Sequence, residues 1–201
     1  MITDHSSTVK LRLVTQSTII SEVAMSMYSQ SSDAVAVGIV GCTGAVGIEI
    51  VSVLEKLSFP VSKLHLFASA RSAGKIISTG YGDIVVEEFS VASARQCQYV
   101  FLAVSGEFAL EHAEAICAGD GPIVIDNSSA FRYMPNIPLV VPEINASAIG
   151  DAKLIANPNC TTAIAAVALW PLHQKFTIKK LIVSTYQAAS GAGAEVSIHV
   201  S

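Results

Sequence analysis

The sequence predicts an α/β fold: a doubly wound parallel sheet, followed by the start of a second, α+β domain. Three observations carry this. Val35-Ala36-Val37-Gly38-Ile39-Val40 is a continuous apolar run of strand length, the kind buried on both faces of a parallel sheet. A glycine turn, Gly41 to Gly47, follows at once and opens a helix with apolar positions at Ile48, Ile50, Val51, Val53, Leu54 and Leu57. Strand and helix patterns then alternate to about residue 175, as a sheet wound on both faces requires.

Composition agrees with a packed domain. Of 201 residues, 51% are hydrophobic and 14% charged, enough apolar surface for a sizeable core. The net charge of −4 argues against nucleic acid or an anionic membrane surface as a partner. No apolar run is long enough to span a bilayer. Cys42, Cys97, Cys117 and Cys160 show no CxxC spacing, which favours free thiols in a reducing compartment over a disulfide scaffold or a metal site. Residues 1–33 are rich in Ser and Thr and poor in Gly and Pro. They read as a disordered extension, with a cleaved organelle signal as the alternative. The expected setting is cytoplasmic, or plastidic if that segment is a transit sequence.

The ordered domain begins near residue 34. In the pattern Gly41-x-x-Gly44-x-x-Gly47, between strand and helix, each glycine has a task. Gly41 permits the tight turn, Gly44 lets the backbone approach a pyrophosphate, and Gly47 lets the helix lie close on the sheet. The helix start supplies an anion site. This is a Rossmann-type dinucleotide fingerprint; a plain tight turn is the weaker reading. The strand Leu64–Ala68 ends in Ser69-Ala70-Arg71-Ser72-Ala73-Gly74-Lys75. An acidic residue there would hold a ribose 2′-hydroxyl. Arg71, Ser72 and Lys75 suit a 2′-phosphate instead, hence NADP, against an ordinary basic surface loop. His65, inside that strand, reads as a core residue.

Ile84–Val86 and Tyr99–Val104 read as further strands, and Ser105-Gly106 closes the latter where ligands sit in open parallel sheets. A helix through Ala109, Leu110, Ala113, Ile116 and Cys117 stops at Gly119-Asp120-Gly121-Pro122. The strand Ile123–Ile125 ends in Asp126-Asn127-Ser128-Ser129-Ala130-Phe131-Arg132. One Arg in a polar run at a strand's carboxyl end makes an oxyanion or phosphate site, or else a helix cap with a surface salt bridge. Lys153–Ala156 reads as a short buried strand and Ala163–Trp170 as a buried helix, with Asn157-Pro158-Asn159 turning between them. Asn159 is placed to cap that helix, which puts Cys160 in its first turn, where the macrodipole and unpaired N–H groups favour a thiolate. The alternative is a buried, inert cysteine. Ile178–Tyr186 reads as a long strand opening the second domain.

Together these motifs resemble aspartate-semialdehyde dehydrogenase. They are Gly41–Gly47, Arg71–Lys75, Asp126–Arg132, Asn157–Cys160 and the stretch from Ser184 through Gln187 to Gly193. The resemblance covers roughly residues 35–195. It implies NADP-dependent reductive dephosphorylation of aspartyl 4-phosphate to aspartate 4-semialdehyde, on the route to lysine, threonine and methionine, by a homo-oligomer. It also implies residue roles: Cys160 as the nucleophile forming a thioester, Arg132 with Asn127 holding phosphate, and Gln187 orienting the acyl group. The NADP contacts would be Thr43, Gly44, Ala45, Val46, Arg71, Ser72, Ser190 and Gly191. The domain division it implies is an extension at 1–33, a cofactor domain at 34–175 and the opening of a catalytic and dimerisation domain at 176–201. The family's acid/base histidine and substrate arginine have no match here, so the sequence is expected to be a fragment, incomplete for turnover. His173 is no substitute, because thirteen helical residues place it about 20 Å along the axis from Cys160. Two other readings are a related acyl-phosphate reductase, of the N-acetyl-glutamyl-phosphate or glyceraldehyde-phosphate type, and a non-catalytic cofactor-binding module.

Overall fold

The computed structural model describes residues 34–186. Gln187, Ser190 and Gly191 lie outside the described residues, as does the extension at 1–33. The elements run β1 (Val35–Val40), α1 (Ala45–Lys56), β2 (Val61–Ala68), β3 (Ile76–Thr79), β4 (Gly82–Val85), β5 (Glu87–Glu88), α2 (Val91–Ala94) and β6 (Tyr99–Leu102). They continue with α3 (Gly106–Cys117), β7 (Ile123–Asp126), α4 (Pro142–Asn145), a 3₁₀ turn (Ala146–Ile149), β8 (Leu154–Ala156) and α5 (Cys160–Phe176).

Six strands form one parallel sheet in the order β5-β2-β1-β6-β7-β8. Alternation along the central strands explains why both faces are covered. Val37 and Ile39 of β1, with Tyr99 and Phe101 of β6, pack on the α1 face with Ile50 and Leu54. Val40, Val100 and Leu102 turn the other way, onto Ala109, Ala113 and Ile116 of α3. A strand buried on both sides has to be apolar at every position, which is why the run from 35 to 40 is so uniform. The chain leaves β1 toward β2 on one side and returns to β6 on the other. The crevice between β1 and β6 is therefore the switch point where such sheets bind ligands.

Three sequence expectations change. The run at 84–86 is a strand, but β4 pairs antiparallel with β3 in a separate hairpin, outside the main sheet. Gly80 and Tyr81 make the tight reversal, and the Thr79 hydroxyl, which donates to the Gly82 carbonyl at 2.8 Å, closes it. Residues 177–186 form neither helix nor strand, so the expected strand Ile178–Tyr186 is absent. A strand needs a ladder partner, and neither edge of the sheet takes this segment, whose Leu181, Ile182 and Val183 stay exposed. The helix after Asn159 is not a buried one: α5 buries Ala163 and leaves Ile164, Leu172 and Phe176 exposed. It runs unbroken from Cys160 past His173, despite Pro171 inside it, and ends at Thr177 in the left-handed region (φ 54°). His65 is a core residue as expected, 4% exposed, with Nδ1 2.8 Å from Glu87 Oε1.

Candidate functional site

The chemistry-bearing residues gather at the carboxyl ends of the strands, in two clusters. The first surrounds the glycine turn. Gly41 sits at φ 84°, and a Cβ there would lie 2.2 Å from the Ala103 carbonyl oxygen, so only glycine lets β1 turn this close to β6. At Gly47 a Cβ would lie 2.3 Å from the Gly41 carbonyl oxygen, which is why α1 can start so near the sheet. Gly44 caps α1 without a side-chain hydrogen bond, and α1 carries no acidic residue in its first turn. Its N–H groups therefore face outward with their positive field uncompensated. Thr43, Gly44 and Ala45 are exposed around it, and Val46 is half-buried.

The ends of β1, β2 and β6 enclose a cleft of about 540 Å³ that takes in Gly41, Thr43, Ala70, Ser105 and Phe108. Ser105 is the N-cap of α3, its hydroxyl accepting from the Phe108 N–H at 3.3 Å. The turn holding Arg71 is anchored to the end of β4. Gly74 N–H donates to the Val86 carbonyl at 2.9 Å, and Val86 N–H donates to Lys75 at 2.7 Å. Arg71 is exposed next to Ala70 of the cleft wall, whereas Ser72 is 7% exposed, its N–H bonded to the Ser69 carbonyl. Sequence reasoning missed Glu88 and the aromatic pair Phe89 and Phe108, which also line the cleft. Phe89 and Phe108 meet edge to face at 4.9 Å. These residues lie well beyond the Arg71 turn in sequence, on β5, just after it and in α3, and no local motif marks them.

The second cluster joins the ends of β7 and β8. Asp126, fully buried, accepts from the Ser128 N–H (3.0 Å) and hydroxyl (2.8 Å). Burial pushes its carboxyl above the usual range, and the Ser128 bonds and the Arg132 charge pull it back. Among the described residues Arg132 makes no salt bridge, unlike the alternative drawn from its sequence context. Its Nε donates to the Asn157 carbonyl at 2.9 Å and its Nη2 to the Asn127 carbonyl at 3.0 Å, so the guanidinium bridges the two strand ends. Asn157 is fully buried; its N–H bonds the Asp126 carbonyl (2.8 Å) and its Nδ2 bonds Asn127 Oδ1 (2.8 Å). Asn157 Oδ1 is the buried side-chain acceptor that has no donor among the described residues. The sequence marked Asn157 as a turn residue, not as the hub it is.

Asn159 caps α5 as expected, its side chain accepting from the Thr161 N–H at 3.0 Å. Cys160 is thus the first residue of α5, half-buried, on the same strand-end line as Arg132. The register Leu102–Asp126–Ala156 runs straight across β6, β7 and β8, so two strand spacings, about 10 Å, separate the β6 end of the cleft from the β8 end that leads to Cys160. Burial pushes Cys42 and Cys97 each up to about 11, and raises Cys117.

The sequence profile described as "Semialdehyde dehydrogenase, NAD binding domain" matches residues 36–152, more than half the chain. The chain is 45% identical over 159 residues to an aspartate-semialdehyde dehydrogenase of Synechocystis, a match covering 79% of this chain and 47% of that protein. It is 47% identical over 161 residues to the one of Helicobacter pylori (strain J99), covering 78% of this chain and 46% of that protein. A crystal structure of aspartate semialdehyde dehydrogenase II from Vibrio cholerae superposes with a TM-score of 0.74 at 40% identity, covering 81% of this chain and 49% of that one. The chain spans about half the length of the curated relatives it matches. Among the described residues no helix is long and apolar enough to cross a membrane.

Proposed function

Because the chain belongs to the semialdehyde dehydrogenase family through its NAD-binding domain, we propose that it carries the cofactor site and the nucleophile for NADP-dependent reductive dephosphorylation of aspartyl 4-phosphate to aspartate 4-semialdehyde. The observation that carries the reading is the second cluster: a cysteine opening the side-chain-capped helix that follows β8, and an arginine held across the ends of β7 and β8.

The cleft fits a dinucleotide on its own geometry. The turn at Gly41 and Gly47 cannot hold a Cβ, Gly44 has none of these close backbone contacts, and the helix start offers its N–H groups to an anion. When bound, the nicotinamide supplies the hydride that the reduction consumes. The chain's residues do the rest. Thr43 to Val46 seat the pyrophosphate. Arg71, exposed at the end of the cleft wall, faces solvent where a 2′-phosphate would add negative charge, which supports NADP over NAD. Cys160 Sγ attacks the acyl carbon; the carbon–sulfur bond forms as the carbon–oxygen bond to phosphate breaks, and Arg132 neutralises the departing phosphate dianion. Asn127 braces Arg132 through its carbonyl. Gln187, Ser190 and Gly191 keep the roles the family resemblance gives them. A homo-oligomer, a cytoplasmic setting and the division at residue 175 belong to the same proposal.

The test is acylation without the cofactor. On mixing the chain with aspartyl 4-phosphate, one equivalent of phosphate should be released and one aspartyl adduct should appear on Cys160 by mass spectrometry. Cys160→Ser should give neither, and Arg132→Ala should acylate slower by about 10²-fold, the scale of losing a preorganised charge partner. An adduct on another cysteine, or none, sinks the reading.

A further inference from the structure

We propose that Glu88 is a specificity-determining residue of the cofactor cleft, weighing against a 2′-phosphate and for a free 2′-hydroxyl, in opposition to Arg71. The inference rests on the cofactor reading of the cleft given above. Dinucleotide folds that select NAD place a carboxylate at the end of the second strand, where it accepts from the ribose hydroxyl. In this chain the end of β2 is Ala68, and the residues after it are Ser69, Ala70 and Arg71, so that position is empty of acid. The sheet register fills the gap from the neighbouring strand. Glu88 of β5 pairs with Ala68, and the Phe89 N–H donates to the Ala68 carbonyl at 2.9 Å. One strand spacing, about 4.8 Å, therefore separates the backbone of Glu88 from the usual acidic position.

Three further observations point the same way. Glu88 lines the cleft together with Gly41, Thr43 and Ala70, and is the ionisable residue among those lining it. Its side chain is exposed and makes no hydrogen bond or ion pair among the described residues, whereas its neighbour Glu87 is taken by His65 Nδ1 at 2.8 Å. Arg71, exposed, follows Ala70 of the cleft wall and is not itself among the lining residues, so Glu88 is the charged group that the wall presents. The chemistry follows. A ribose hydroxyl donates a hydrogen bond to a carboxylate, a charge-assisted pair. A dianionic phosphate about 6 Å from a carboxylate is repelled, even in water, by roughly the amount that changes affinity tenfold.

The experiment is calorimetric titration of the full 201-residue chain with NADP and with NAD, for the wild type, Glu88→Gln, Arg71→Ala and the double variant. Glu88→Gln should tighten NADP and weaken NAD, moving the NADP-to-NAD affinity ratio up by about tenfold. Arg71→Ala should move it down, and the double variant should return it near the starting value. Raised salt should shrink both shifts, because both are charge effects. If Glu88→Gln leaves the ratio unchanged while both cofactors bind, the assignment of Glu88 falls and the cofactor reading stands. If the wild type prefers NAD and Glu88→Gln still raises the ratio, the NADP preference falls and Glu88 keeps its role. If neither cofactor binds any variant, the cleft is not a cofactor site and both fall.

Discussion

Two helix starts in this fold use the same electrostatic field for opposite ends. At α1 the cap is Gly44, with no side-chain hydrogen bond, and the nearby cysteine, Cys42, is fully buried with its thiol pushed up to about 11. At α5 the cap is Asn159, whose side chain ties down the first turn, and the cysteine, Cys160, opens the helix half-buried. A glycine cap leaves N–H groups for an outside anion. An asparagine cap takes one of them and leaves the rest of the field to a group within the chain. The two cysteines share nearness to a helix start and differ in burial, which under the proposed mechanism decides which one acts as the nucleophile.

The sharpest way to break this contrast is thiol labelling. With iodoacetamide near pH 8, Cys160 should be modified first, and a thiol with a pKa of about 11 holds only about one thiolate in 10³ at that pH. Mass spectrometry should therefore show Cys160 labelled well before Cys42 and Cys97, and Cys160→Ser should lose the early label. Prior labelling of Cys42 would show that burial is not the deciding difference. The same shift has a stability consequence. The folded thiol binds its proton more tightly than an unfolded one, so the stability it lends is full below about pH 9 and is lost as pH rises toward 11. The thermal midpoint should fall across that window, and Cys42→Ala should flatten the fall.

A second test sharpens the α1 side. Gly41→Val forces a β-branched residue to φ 84° and drives its Cβ to 2.2 Å from the Ala103 carbonyl oxygen. We expect about 3 kcal/mol or more of lost stability, read as a fall in thermal midpoint of about 6–12 °C, with cofactor binding lost. A variant that keeps its midpoint would mean that the turn is looser than its contacts state.

The smallest effect tests the α5 side. Asn159→Ala removes the acceptor for the Thr161 N–H and should cost about 1 kcal/mol, or about 2–4 °C. The corresponding change at α1, Gly44→Ala, removes no side-chain bond, and its Cβ would meet only the Gly41 carbonyl oxygen, at 3.4 Å. Its main effect should fall on cofactor affinity. Equal stability losses at the two caps would erase the distinction drawn here.

The legible parts of this molecule were those written in local chemistry. The apolar run at 35–40, the glycine turn and the Asn-Pro-Asn turn each carry their structural instruction within a few residues, and the structure follows them. What escaped was long-range. Glu88 reaches the cleft because a two-residue strand happens to register with the end of β2, and Asn157 becomes a hub because β7 and β8 are neighbours in the sheet. The hairpin of β3 and β4 was half-seen, since its pattern reads as strand but not as antiparallel. At 178–186 the composition favours a strand, yet composition supplies no partner, and the described fold contains none for it. The apolar run of α5 failed for a similar reason: apolar content foretells a helix, but burial depends on what lies opposite.

The bridging of Arg132 also dictates direction. A guanidinium has five N–H bonds, and here Nε has given its one and Nη2 one of its two to carbonyls. The side-on fork, built from Nε and Nη2, is therefore closed to any incoming anion. Among the described residues one hydrogen on Nη2 and two on Nη1 remain, and the end-on fork takes one from each. An oxyanion received here has to arrive along the axis of the side chain rather than across it. Its angle of arrival is fixed by the backbone of two neighbouring strands before any ligand is met.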